Sequence, residues 1–195
     1  MADVLFISES YLRDMSMIGG NVQNNVLTSA IRKAQTIKIQ SVLGKALYDK
    51  LVDDIYNAGG SITGVTGNYA ILLSDYVIPA LTGWALYESI VPLTLKFTNK
   101  GISRAQDSYT EGIDLETLRY IRNDARDEAE WSTQRLTNYL CNNTGLFPEY
   151  SDYSANDLYP STKAGGYNSG IYFKKRRIVH NNFFPDKDDY EKYTF

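Results

Sequence analysis

The chain has 195 residues, 43% of them apolar and 22% charged, with a formal net charge of −3 and a sequence pI near 5.2. That length suits one ordinary globular domain. The acidic balance argues against a protein built mainly to hold nucleic acid, because phosphate binding needs net positive surface.

The opening "MADVLFISES" carries neither a basic start nor an apolar signal run, and Cys141 is the only cysteine. A reducing compartment is therefore expected, and the sequon Asn142-Asn143-Thr144 is expected to go unused. Ser8 can cap a short helix carrying Tyr11 and Leu12, which "SMIGGN" breaks. Asn21 can cap the next helix, residues 22–40, with apolar residues at Val22, Val26, Leu27, Ala30, Ile31, Ala34 and Ile37 on one face. The pattern resumes at Val42, Leu43, Ala46, Leu47, Leu51 and Ile55, with the turn between the two reaching Gly44. Gly59-Gly60 ends that helix, and "GGSITGVTGN" reads as a loop or hairpin.

"YAILLSDYVIPALTGWALYESIVPLTLKF" is the most apolar segment and is nearly as long as a membrane span. Pro79, Gly83 and Pro92 interrupt it, and it reads as a buried central helix. Internal prolines bend or split a helix, so the expectation is two helices of about 69–78 and 80–91, or one kinked helix. "TNKGISRAQDSYTEGI" reads as a polar connection. From Asp114, a cap, to Asn142 runs the clearest helix, with a stripe at Leu115, Leu118, Ile121, Ala125, Ala129, Ser132, Leu136, Tyr139 and Leu140. At 100° per residue, Tyr120 and Trp131 fall almost opposite that stripe and about 20° from each other. Two large aromatics there call for a second partner, either another helix of this chain or a neighbouring subunit.

Residues 149–195 hold eleven aromatics and only four aliphatics, Leu158, Ile171, Ile178 and Val179. Such a stretch cannot build an aliphatic core, and its aromatics set it apart from ordinary disordered tails. It reads as an extended arm that lies on another surface, with "GIYFKKRRIV" as a strand-like element. The fold expected is thus all-α: a helical bundle over 1–148 with an extended, partly β-like C-terminal arm over 149–195.

The chain has no phosphate-binding glycine loop, dinucleotide fingerprint, HExxH or EF-hand loop. His180, the only histidine, lies in "IVHNNFFPD" without a partner motif, and one histidine with one cysteine leaves too few ligands for a Cys/His zinc site. No catalytic, cofactor-binding or metal residue is expected, and the chain is not expected to be an enzyme.

Four phrases occur in order: "AIRKAQTIKIQSVLGKALYDKL", "LLSDYVIPAL", "VPLTLKFTNKGI" and "AEWSTQRLTNYLCNNTGLFPEY". The series, over about residues 5–150, resembles the helical head–tail connector (adaptor, or neck ring) proteins of tailed bacteriophages. It is closest to versions from phages of Bacteroidetes hosts, including crAss-like phages. The resemblance implies a virion structural protein of the neck, at the capsid portal vertex, made in the host cytoplasm. It implies a ring of about twelve copies that docks on the portal protein, extends the channel for packaged double-stranded DNA and supports the next neck or tail protein. It brings no catalytic residues and no membrane.

Against that background the run Lys174, Lys175, Arg176 and Arg177 has three readings. It can be a solvated strand or loop. It can dock on acidic groups of the portal or a neighbouring subunit, with Tyr172 and Phe173 as anchors. Or it can touch DNA phosphates, as in a packaging accessory. Tyr120 and Trp131 are candidates for inter-subunit packing. Tyr150, Tyr153, Tyr159, Tyr167 and Tyr172 could alternatively stack single-stranded bases, although protein anchoring explains them better.

Overall fold

A computed structural model gives the fold over residues 4–98, 101–104, 114–152 and 157–160, with backbone alone for 95–98 and 101–104. The chain divides into two compact units, Met1–Gly165 and Gly166–Phe195, and every described residue belongs to the first. The expected strand-like element at 170–179 lies outside the described residues.

Among the described residues, five α-helices frame the first unit. Helix α1 (Glu9–Asp14) starts at Ser8, whose hydroxyl accepts from the Tyr11 N–H at 3.1 Å. Helix α2 spans 24–43 and contains a π-turn, Gln35–Ile39. Helix α3 (Lys45–Asn57) follows after a single residue, Gly44. Helix α4 (Asn68–Thr94) contains a second π-turn, Leu73–Val77. Helix α5 (Leu115–Asn142) is capped by Asp114, as the sequence suggests.

The helical class is as expected, with one addition. Leu95–Thr98 and Gly101–Arg104 pair as antiparallel strands β1 and β2, with Leu95 opposite Arg104 and Thr98 opposite Gly101. The sequence reading runs the apolar central segment through Phe97 and a polar connection from Thr98. Strands of four residues are too short to show a period-2 pattern, so pairing rather than periodicity defines them.

The first π-turn corrects the expected face of α2. Ile37, placed on the buried face by a 3.6-residue period, is 53% exposed, while Gln35 and Ile39 are buried. An i→i−5 turn holds more residues than an α-turn, which moves the apolar face along by about one position. Gln35 then points inward. Its amide oxygen accepts from the Phe6 N–H at 2.9 Å, and its amide nitrogen donates to the Val4 carbonyl and the Tyr48 hydroxyl, both at 2.8 Å. One side chain thus pins the segment before α1 onto α2 and α3.

The second π-turn explains why Pro79 does not break α4. In a regular helix, Pro79 would leave the Asp75 carbonyl without its donor. Here the Ile78 N–H reaches back to the Leu73 carbonyl, and Arg135 of α5 donates to the Asp75 carbonyl at 3.2 Å. The same guanidinium lies 4.7 Å from the Tyr76 ring centre, and Tyr76 stacks on Tyr139 at 3.9 Å. The single helix, one of the two expected outcomes, is therefore completed from outside by α5.

By length and composition α4 could cross a membrane. In this fold it packs along α2 on one side and α5 on the other, with Leu73, Val77, Leu81 and Ala85 buried. At the α4–α5 crossing a Cβ on Gly83 would lie 3.0 Å from the Ala129 Cα. Glycine is favoured there by close approach, not by backbone angle.

The compact unit continues beyond residue 148, where the sequence reading ended it. Phe147 and Tyr150 are buried, so Tyr150 is a core residue and is not available for base stacking. The Tyr69 hydroxyl donates to Glu149 at 2.8 Å, and the Lys45 N–H donates to the Leu158 carbonyl at 2.8 Å. Gly44 has φ +76°, and a Cβ there would come within 2.7 Å of the Pro160 ring. The described chain therefore ends packed at the α2–α3 corner.

Candidate interaction surface

Helix α5 is buried along only part of its length. Ala125, Ala129, Leu136 and Leu140 are buried, but Leu115 is 54% exposed and Ile121 38% exposed. The stripe from Leu115 to Leu140 was expected to bury as one face. Its first turns instead form one wall of an apolar groove of about 410 Å³. Leu118 and Ile121 supply that wall, Ile90 and Leu93 of α4 supply the floor, and Met17 and Ile18 of the α1–α2 loop close the other side. Met17 is 96% exposed. Asp124 and Glu128, one turn apart on α5, line the groove as well.

Tyr120 and Trp131 lie a quarter-turn away around α5, 74% and 66% exposed. The structure brings the two aromatics onto one exposed strip, as their spacing requires, and no described residue covers them. Arg126 on the polar side pairs with Asp127 at 3.3 Å and Glu130 at 3.6 Å. Exposed pairs of this kind contribute about 0–1 kcal/mol each. Arg122 takes another route and lies 4.4 Å from the Tyr87 ring centre on α4.

The shifted titratable groups hold structure together. The Thr28 hydroxyl donates to Glu9 and keeps that carboxyl below its usual range, with Arg13 adding to the effect. Burial pushes Tyr69 up to about 12, helped by the Glu149 carboxylate that accepts its hydrogen bond. Glu9 joins α1 to α2, and Tyr69 joins α4 to the turn Pro148–Ser151. Among the described residues no group of His, Cys, Asp and Glu could hold a metal ion.

Tyr172, Phe173, Lys174, Lys175, Arg176, Arg177 and His180 lie outside the described residues. The groove itself was not read from the sequence. Met17 and Ile18 lie in a stretch that reads only as a helix break, and Leu118 and Ile121 fall on the stripe expected to bury. A signal existed: the α5 stripe has large residues at 115, 118 and 121 but small ones at 125 and 129. Small residues mark the tight crossing with α4, and the large ones lie beyond it.

A family model described as a family of unknown function, DUF6712, matches residues 39–159. No curated protein and no solved structure matches the chain.

Proposed function

The chain belongs to the DUF6712 family, which matches more than half of its length, and we propose that it is a virion structural protein, a subunit of a head–tail connector ring. The observation that carries this reading is the surface of α5. One copy leaves two separate apolar surfaces open, the Tyr120–Trp131 strip and the groove at Ile121. A ring closes through heterologous contacts, in which one surface of each copy meets a different surface of the next. Two unlike sticky surfaces on one helix meet that requirement. The resemblance of the four ordered phrases to connector proteins supplies the rest.

In this role the subunit works by assembly, without turnover. Copies pack side by side beneath the portal protein, the ring extends the DNA channel, and its far face carries the next neck or tail protein. The C-terminal segment, with Tyr172 and Phe173 as anchors and Lys174 to Arg177 as charge, docks on acidic protein surface. Cryo-electron microscopy of tailed particles that contain this chain tests the reading. Ring density between portal and tail, fitted by the five helices, is expected. Finding the chain elsewhere in the particle, or not at all, overturns it.

A second reading rests on the four consecutive cations: a packaging accessory that binds DNA. It requires DNA affinity at low salt that falls steeply as salt rises and disappears when Lys174, Lys175, Arg176 and Arg177 become alanine.

A further inference from the structure

We propose that a pocket between α2, α4 and α5 binds a small organic carboxylate, held by Arg122 and Lys33. The inference goes beyond the assembly reading above and does not depend on it.

Helices α4 and α5 run antiparallel, as the contacts Tyr76–Tyr139, Trp84–Thr133 and Tyr87–Arg122 show. In that register a proline of α4 lies across from an arginine of α5 twice. Pro79 and Pro92 are 13 residues apart, and so are Arg122 and Arg135. At the first site the Asp75 carbonyl, which Pro79 leaves without its helical donor, accepts from Arg135 at 3.2 Å. Pro92 takes the helical donor from the Glu88 carbonyl in the same way, but Arg122 does not replace it. The Arg122 guanidinium lies 4.4 Å from the Tyr87 ring centre, and its Nε is buried without a hydrogen-bond partner among the described residues. Where the first site is closed, the second opens on a pocket of about 440 Å³. Arg122, Glu88 and Pro92 line it together with Ser29 and Lys33 of α2.

Donors are in excess in this pocket. The Lys33 ammonium donates to the Glu88 carboxylate at 2.5 Å, and an ammonium has further N–H donors to offer. Ser29, one turn before Lys33 on the same side of α2, adds a hydroxyl. Arg122 and Lys33 bring two formal positive charges against the single negative charge of Glu88. One negative charge is needed for balance, and Glu88 repels a second. A carboxylate carries one, and its two oxygens match the guanidinium fork. An arginine N–H shielded from water and lacking an acceptor is costly, and a carboxylate oxygen seated in the pocket ends that state. Val26, Val91 and Pro92 make the rest of the wall apolar, which suits a short hydrocarbon body and disfavours bare phosphate. The volume admits a small free acid.

The test is an NMR titration of the isotope-labelled full-length chain with sodium butyrate at constant ionic strength. The Arg122 Nε–H signal is assigned by its loss in Arg122→Lys. It should shift and saturate at about millimolar butyrate. Butyramide, of the same shape without the charge, should give no saturating shift, and inorganic phosphate should bind more weakly than butyrate. Two variants separate binding from structure, because both break the Lys33–Glu88 pair. Lys33→Gln removes a positive charge and should weaken butyrate binding about tenfold. Glu88→Gln removes a negative charge and should tighten it. A role confined to packing moves both in one direction. Arg126→Gln, which removes a charge elsewhere on α5, should leave the midpoint unchanged. A response that does not saturate, an equal response to butyramide or phosphate, or a shift of the midpoint in the same direction by Lys33→Gln and Glu88→Gln overturns the proposal. So does tighter binding of N-acetylglutamate amide than of butyrate, which assigns the pocket to an acidic side chain of a partner protein. None of these results bears on ring density in particles, so failure here leaves the connector reading to its own test.

Discussion

Gln35 is a polar residue that the fold cannot spare. It is 3% exposed, and it supplies the partner of the buried Phe6 N–H. Gln35→Ala strands that donor, and chemical denaturation should show a loss of about 1–3 kcal/mol. Gln35→Glu should also destabilise, because a carboxylate can accept from Phe6 but cannot donate to the Val4 carbonyl. The Glu9–Thr28 contact makes a pH-dependent counterpart. A carboxyl held below its usual value contributes stability that is present above the unfolded-state pKa, about 4.3, and is lost as pH falls through the lower folded value. Thr28→Val removes the donor. The stability gap between wild type and Thr28→Val should therefore be constant above about pH 5 and close on further acidification, as followed by denaturant melts across that range. Neither residue was visible as a structural bond in the sequence. Gln35 sits among helix formers, and only the change of phase in α2 turns it inward. Ser8 and Asp114 are legible as caps, whereas Asn21 is not one: α2 starts at Asn24 behind Gln23, which makes no side-chain cap bond.

Elements were legible where local periodicity decides them. Helices α1, α3 and α5 follow their apolar spacing and their caps, and Gly44 was recognised as a turn residue. The two π-turns were not legible, because each depends on packing by another element. Pro79 marks a place where the α4 ladder must adjust, but that Arg135 would serve the Asp75 carbonyl is a fact about tertiary distance. The α4–α5 crossing makes the same point. Gly83 reads in sequence as a helix weakener, yet its lack of a Cβ permits the approach to Ala129. Gly83→Ala should raise intrinsic helix propensity and still lower the melting temperature. Overpacking at such a contact costs about 1–3 kcal/mol, against about 1 kcal/mol gained in propensity. Gly83→Val should be worse. Equal or higher thermal stability of Gly83→Ala would mean that the helices separate freely at this point.

For the whole molecule, assembly should be separable from folding. Tyr120 and Trp131 are exposed and contribute little to the core, so Tyr120→Ser with Trp131→Ser should leave circular dichroism and melting temperature nearly unchanged. On the connector reading proposed above, the same pair should prevent ring formation on portal complexes, read by sedimentation or by electron microscopy. Loss of folding in the double variant would place those aromatics within the monomer. The two surfaces differed in legibility for one reason. Tyr120 and Trp131 stand out against a helical stripe, whereas the groove is built from three elements far apart in the chain. The position of α4 also has a consequence for biosynthesis. As the polypeptide emerges, α2 is already available to cover one side of this long apolar helix, but the side that receives α5 stays open until residue 142 has been made. At about 5–20 residues per second that interval is roughly 2–10 s. During it the nascent chain displays a segment apolar enough to attract chaperones or membrane-insertion machinery, and only its own later synthesis removes the signal.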